Sequence, residues 1–412
     1  MDLITLIGIF FASALVLTII EKFIFKITNL PINFLRNFVG VWFIFSGVVK
    51  AIDPTGTAIK MEEYFEIFQN YVPAMNFIWE FSAHHALAIS IFMIILEIYL
   101  GIALILGTWK KLTIWLLVLL ILFFTFLTGF SAKTGKVTDC GCFGDFIKLA
   151  PIQSFYKDLL LTVLILIILF GQKSIKEIFG KLLNRILLVA LTIAAIAFTS
   201  RNIYYEPIKD FRPYTIGTSI PDCLKLPPNA KKSIINLVYT YKNNKTGELK
   251  TYPPNQFPDA AEYEDWTFVK REDVLVQKGD EPKCKDFRIS DASGSDQTSM
   301  FFEEPETIFF IISPDLNKAN IDGFKKIIAV TEDAMKDGKY AFLISGNAAT
   351  DVEQLKQKLK MPYDAYNMDP TALKTIMRSN PGLLILKQGK ILAKYHYNNL
   401  SDYNTIKKSV LK

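Results

Sequence analysis

The sequence predicts two unlike halves: an all-α membrane bundle of about six spans, followed by an α/β soluble domain. Three observations carry that expectation. Six apolar runs of nearly twenty residues fill the first 200 positions, the length that a bilayer's hydrocarbon core requires. The chain turns polar at Ser200-Arg201-Asn202. From Thr307 onward, short apolar runs alternate with stretches of helical period, as in a sheet flanked by helices. The hydrophobic fraction of 51 % is therefore an average over two kinds of chain.

The predicted spans are Leu3–Ile20, Phe34–Val49, Ala86–Gly107, Leu112–Phe130, Phe155–Phe170 and Leu182–Phe198. The first lacks the basic start and small-residue cleavage site of a signal peptide, and is read as a retained helix. Lys22, Lys26 and Arg36 flank the first connection, Lys110 and Lys111 the third-to-fourth, and Lys173, Lys176, Lys181 and Arg185 the fifth-to-sixth. By the positive-inside rule these connections face the cytoplasm. Lys50, Lys133, Lys136, Lys148 and Lys157 oppose the pattern. The loop from Ala51 to His85, the stretch around Cys140 and Cys142, and everything after Arg201 then share the outer side. Within the long loop, Ile59–Phe68 has the apolar spacing of an amphipathic helix, lying on the membrane or capping the bundle. The net charge of +6 comes without a basic stripe, which argues against nucleic-acid binding.

Half of the four cysteines lie in Thr138-Asp139-Cys140-Gly141-Cys142-Phe143-Gly144-Asp145. A Cys-x-Cys bridge closes a very small ring, and strained or exposed bridges are the ones used in exchange. The alternatives are inert thiols or half of a metal site, although a closed zinc site wants four ligands and only three histidines exist. Glu97 stands mid-span, where a carboxylate is costly and informative. Buried alone it would be protonated, serving as a proton relay or head-group ligand, or simply tying helices together. Asp158, near the outward end of the fifth span, falls in that helix's predicted first turn, where the dipole favours it. Lys50 and Asp53 stand near the outward end of the second span.

Residues 201–214 read as a linker and 215–412 as the soluble domain, with an insertion at about 234–276 holding a hairpin at Lys245-Thr246-Gly247-Glu248. Strands are expected at Thr307–Ile312 and Tyr340–Ile344, and a hairpin at Gly382–Lys387 and Lys390–Tyr395. Helices are expected at Asn320–Met335, Val352–Leu359, Asp369–Met377 and from Leu400 onward. Cys223 and Cys284 are candidates for a structural disulfide, or for exchange with Cys140 and Cys142.

The strand and helix order, with Asn380-Pro381-Gly382-Leu383-Leu384-Ile385-Leu386-Lys387-Gln388-Gly389-Lys390-Ile391, resembles the thioredoxin fold of extracytoplasmic proteins. The resemblance implies a cis-proline at Pro381. Its Cys-x-x-Cys is missing, because the matching place reads Ser313-Pro314-Asp315-Leu316-Asn317-Lys318-Ala319-Asn320. In the membrane half, Arg36–Gly40 through Lys50 and Glu97–Gly107 resemble the DoxX superfamily of four-helix membrane proteins. Cys140-Gly141-Cys142-Phe143-Gly144 with Lys157-Asp158 resembles its MauE branch, over about residues 34–171. The combination resembles envelope proteins of the Bacteroidetes type. From the residues and the resemblance together, the expectation is an inner-membrane thiol-disulfide oxidoreductase with its C-terminal domain in the periplasm. Cys140, Cys142, Asp158 and Glu97 would carry the chemistry, a quinone would be a possible electron partner, and the protein client stays unspecified. The rival expectation is a non-catalytic anchor or assembly subunit with a protein-binding domain.

Overall fold

The computed structural model describes residues 2–137, 141–232, 234–254, 256, 263–277 and 279–411, so Cys140 lies outside the described residues. Eight helices come first: α1 (Leu3–Phe25), α2 (Leu30–Ile52), α3 (Pro54–Tyr71), α4 (Asn76–His84), α5 (Ala86–Leu106), α6 (Lys110–Thr134), α7 (Pro151–Gly171) and α8 (Lys181–Tyr204). All but α3 and α4 are long and apolar enough to cross a bilayer. Their outward residues, such as Phe11, Leu119, Phe126 and Ile193, are apolar and meet lipid.

Small residues let α2 and α5 approach closely. A Cβ on Gly101 would meet the Gly40 carbonyl oxygen at 2.8 Å and the Ile44 nitrogen at 2.9 Å. An aromatic core packs inside, with Phe10 and Trp42 ring centres 5.0 Å apart. The basic connections gather at one end of the bundle. There Lys110 Nζ donates to the Ile175 carbonyl (2.7 Å), Asn29 to Ser174 (2.9 Å) and Arg36 to the Lys176 carbonyl (3.3 Å). A buried ion pair, Arg36 with Glu21 at 2.7 Å, stands at the same end.

α3, α4, the cysteine loop and the soluble domain occupy the other end. α3 is longer than the predicted Ile59–Phe68, because Asp53 caps it by accepting from Gly56 N–H (2.9 Å) and Pro54 opens it. Tyr64 and Phe68 are buried against Leu127, Phe130 and Val137, so the helix caps the bundle.

The last membrane helix runs on to Tyr204, and a short connector, Tyr205–Pro213, leads to the buried Tyr214. The soluble part comprises α9 (Ile220–Cys223), β1 (Ile234–Asn243), β2 (Leu249–Tyr252), β3 (Trp266–Gln277), α10 (Thr298–Glu303), β4 (Thr307–Ser313), α11 (Ile321–Lys336), β5 (Tyr340–Ser345), α12 (Ala349–Leu359), β6 (Ala365–Asn367), α13 (Pro370–Ile376), β7 (Gly382–Lys387), β8 (Lys390–His396) and α14 (Tyr403–Ser409). The inserted stretch forms its own antiparallel sheet, ordered β2-β1-β3. The main sheet is ordered β6-β5-β4-β7-β8, with β4, β5 and β6 parallel and β7 and β8 antiparallel. Every residue of β4 is buried, as a central strand covered on both faces requires. Ile308, Phe310 and Ile312 pack on the side of Phe301 and Leu373, while Phe309 and Ile311 pack on the side of Phe324 and Ile406. Cys223 and Cys284 form a disulfide, and the Asn380–Pro381 peptide is cis.

Candidate functional site

The cysteine loop is held where two hydrophobic anchors go. Phe143 is 1 % exposed, with its ring 6.0 Å from those of both Trp42 and Phe45. Phe146 sits between Phe45 (5.6 Å) and Phe211 of the soluble part's connector (5.0 Å). Tight turns shape the loop between them: Gly144 N–H donates to the Gly141 carbonyl (3.0 Å) and Phe146 N–H to the Phe143 carbonyl (3.1 Å). Gly141 takes φ of +63°, a conformation that glycine adopts without a Cβ penalty. Ser46 of α2 donates to the Cys142 carbonyl at 3.1 Å.

Behind Cys142 lies a cavity of about 70 Å³, and five elements bring polar groups to it. Lys50 of α2 donates to Glu97 of α5 at 2.5 Å, so Glu97 is not alone in its span. Its other oxygen, Oε2, is buried and makes no hydrogen bond among the described residues. On α7, Lys157 pairs with its neighbour Asp158, whose Oδ2 also accepts from Thr128 Oγ1 of α6 at 3.0 Å. Asp158 is not in a first turn, because α7 begins at Pro151, with the Gln153 side chain accepting from Ala150 N–H. Its charge is answered by Lys157 and Thr128 rather than by the helix end. The Lys157 ammonium stands 5.8 Å from the centre of the Phe143 ring and within electrostatic reach of Cys142. α3 closes the cavity with Lys60, Met61 and Tyr64, whose hydroxyl is 2.7 Å from Ser131 Oγ.

On the far side of Gly141 is a cleft of about 640 Å³ between bundle and soluble domain, within the range of ligand pockets. Gly141, Thr57 and Lys60 line both spaces. The roof of the cleft is the segment before Pro381. Arg378 forks onto Asp53, with Nε 2.9 and 3.0 Å and Nη2 2.7 Å from its carboxylate oxygens, and stands 3.7 Å from Asp145 of the cysteine loop. The N–H groups of Arg378 and Ser379 both donate to Glu206 Oε1, at 3.1 and 3.0 Å. Arg212 binds Glu206 (2.8 Å) and Asp210 (2.7 and 3.0 Å), and Lys394 binds Asp210 (2.7 Å). Burial alone would raise the pKa of Asp53. The Arg378 and Arg212 guanidiniums outweigh it and hold this carboxylate below its ordinary range. Glu206 and Asp210 are likewise lowered, burial being overcome by Arg212 and Lys394.

Sequence reasoning singled out Cys142, Glu97 and Asp158, and all three line the one cavity; Cys140 lies outside the described residues. It missed Lys50 and Lys157 as partners, although opposite charges placed at span ends are a usable signal. Arg378, Glu206 and Arg212 left no local signal. Cys223 and Cys284 are bonded to each other, inside the soluble domain and apart from the cavity.

The cavity behind Cys142 is small for an aromatic ring. An apolar cavity of about 150 Å³ takes a benzene ring, and this one is less than half that size.

The family described as methylamine utilisation protein MauE matches residues 3–171. No curated protein and no solved structure matches the chain. The multi-pass membrane region from the first to the fifth span, with Cys142, Lys50, Glu97, Lys157 and Asp158 inside it, is thus similar to the MauE family.

Proposed function

We propose that this protein is a thiol-disulfide oxidoreductase of the bacterial inner membrane, exchanging disulfides through Cys140 and Cys142 with an extracytoplasmic partner. The observation that carries the reading is the position of the Gly141–Cys142 step. It lies between a small pocket lined by paired charges and a larger cleft with room for a partner segment. The basic connections at the opposite end of the bundle support an extracytoplasmic cleft.

In the exchange, a thiolate of the pair attacks a sulfur of the partner's disulfide. That S–S bond breaks and a mixed disulfide forms. The second sulfur of the pair then displaces the partner's remaining thiolate. Two electrons and two protons pass to the partner, and the pair closes; run backwards, the same steps reduce it. No step is routed through a quinone, given the size of the cavity, and a dithiol or disulfide entering the cleft serves as the second electron partner.

The soluble domain reads as thioredoxin-like: three parallel strands, an antiparallel hairpin and a cis-proline before it support this. Its dithiol position is occupied by Ser313–Asn320, where Ser313 Oγ donates to Asn380 Oδ1 (2.6 Å) and Asn380 Nδ2 to the Asp315 carbonyl (2.7 Å). It therefore serves as a roof and docking module. That same sulfur-free position favours the rival reading, a non-catalytic anchor with a binding domain. Alkylation of intact membranes followed by mass spectrometry separates the two. The redox reading expects a mixed population of oxidised and reduced pairs, and mixed disulfides trapped by Cys140→Ser or Cys142→Ser. Fully reduced cysteines under all growth conditions, with client oxidation unchanged in Cys140→Ser, would leave the anchor reading.

A further inference from the structure

Two buried cations and two buried carboxylates around one sulfur make an unusual lining for the core of a membrane bundle. Charges within a bilayer are costly, and where they occur they mark proton or ion handling. Around Cys142, α2 contributes Lys50, α3 Lys60 and Tyr64, α5 Glu97, and α7 Lys157 and Asp158, while Asp145 of the loop lines the cleft instead. α6 contributes the Thr128 hydroxyl. The four inner charges are Lys50 (side chain 9 % exposed), Glu97 (2 %), Lys157 (8 %) and Asp158 (1 %). The two carboxylates differ in how they are satisfied. Asp158 takes both Lys157 and a hydroxyl. Glu97 takes Lys50 on Oε1 and, among the described residues, nothing on Oε2, which is buried beside the cavity. A buried carboxylate oxygen without a donor is costly, and becomes satisfied when it carries a proton that can itself donate. The cavity has room for a few water molecules, at roughly 10–15 Å³ each, to bridge Glu97 and the loop.

We propose that this cavity is a proton-transfer site for the Cys142 thiol, in which Glu97 receives the thiol proton and Lys157 balances the resulting thiolate. The inference rests on the redox reading above and deepens it. With the Lys60 ammonium answered by Glu63 at 3.0 Å, the cavity before transfer holds two further cations, two anions and a neutral thiol. Afterwards it holds two cations, the thiolate, Asp158 and a neutral Glu97 acid. The net charge stays at zero, so the bundle never carries an uncompensated charge while the sulfur changes state. When Cys142 next becomes part of a disulfide, Glu97 passes the proton on to the departing partner thiolate and regains its charge, so the cavity returns to zero. When the bond is reduced, a proton from the incoming thiol reaches the sulfur by the same carboxylate. Lys157 acts as a positioning charge in this scheme, and Lys50 keeps Glu97 aimed at the cavity.

The test is the pH dependence of iodoacetamide alkylation of the reduced full chain in lipid nanodiscs. A Cys140→Ser background leaves Cys142 as the reporting thiol, because Cys223 and Cys284 are bonded to each other. Lys157→Met is expected to move the profile to higher pH by about one unit, slowing alkylation at pH 7 roughly tenfold, since the thiolate loses its balancing cation. Lys157→Arg should restore it. Glu97→Gln removes an anion and leaves Lys50 unbalanced, so its profile should move to lower pH. The opposite signs are what a general loss of packing does not produce. If Lys157→Met fails to assemble as a monodisperse particle, Lys157→Arg and Glu97→Gln still carry the test. Unmoved profiles, or shifts of the same sign for Lys157→Met and Glu97→Gln, overturn the proposal. Shifts of the expected signs in a protein that never exchanges with any partner uphold the proton site and defeat the redox reading instead.

Discussion

Arg378 is the residue on which the roof of the cleft closes, and removing it is the most informative single perturbation. Its side chain is 8 % exposed and that of Asp53 is 16 % exposed, so the pair sits largely out of water. Arg378→Ala leaves Asp53 with the Gly56 N–H and the field of the more distant Arg212 to answer its charge. Breaking one partner of a buried ion pair costs about 3–5 kcal/mol. With that remaining hydrogen bond and partial exposure, about 3 kcal/mol is appropriate. At a factor of ten per 1.4 kcal/mol, this raises the population of the undocked domain roughly a hundredfold. The Ser379 N–H, which donates to Glu206 across the same junction, reports it directly. Hydrogen–deuterium exchange in nanodiscs should show its protection falling by about that factor, while the amides of β4 stay protected. The double variant Asp53→Asn with Arg378→Gln leaves no orphaned charge and should recover part of the loss, as a double-mutant cycle reveals. Unchanged protection at Ser379 in Arg378→Ala, or a double variant as exposed as the single one, would refute the reasoning.

The remaining expectations follow from the same geometry. Asp53, Glu206 and Asp210 are all held below their ordinary values in the docked state. For carboxylates lowered in this way, the stabilisation is present above the free values of 3.8 and 4.5 and is lost as pH falls through the lower docked ones. Protease accessibility of the soluble domain should therefore rise on acidification below about pH 4, and the step should flatten in Asp53→Asn. In the bundle, Gly101→Leu should lower stability by about 1–3 kcal/mol through overpacking, because the Gly40 and Ile44 backbones cannot yield. Gly8→Leu, with nothing within 4 Å of its added Cβ, is the matched control in a thermal unfolding series.

The six spans were legible because a bilayer imposes a length and a composition that no other constraint disturbs. The strands and helices after Thr307 were legible for a similar reason, since β4 is apolar throughout and α13 is announced by Asp369 before Pro370. The start of α7 was misjudged by the weight given to apolar residues: Pro151-Ile152-Gln153-Ser154 is polar enough to look like loop, yet it forms the first turn. What the sequence hid was pairing at long range. Lys50 and Glu97 are 47 positions apart, and Asp53 and Arg378 are 325 apart. Neither pair leaves a periodic trace, because ion pairs between elements are set by packing rather than by local conformation. Lys157 was counted as a violation of the charge rule for membrane topology, whereas its ammonium is turned inward to Asp158 and never faces the solvent on which that rule depends.

The connector from Tyr205 to Pro213 carries one more implication. A chain that short, scaled as a flexible coil, spans only roughly 17 Å on average. A soluble domain that lets go of Asp53 and Glu206 is leashed to the spot it left, at an effective concentration in the millimolar range. Release and recapture can then alternate many times while one partner molecule diffuses in and out, and the mouth of the cleft behaves as a hinged door rather than a detachable lid.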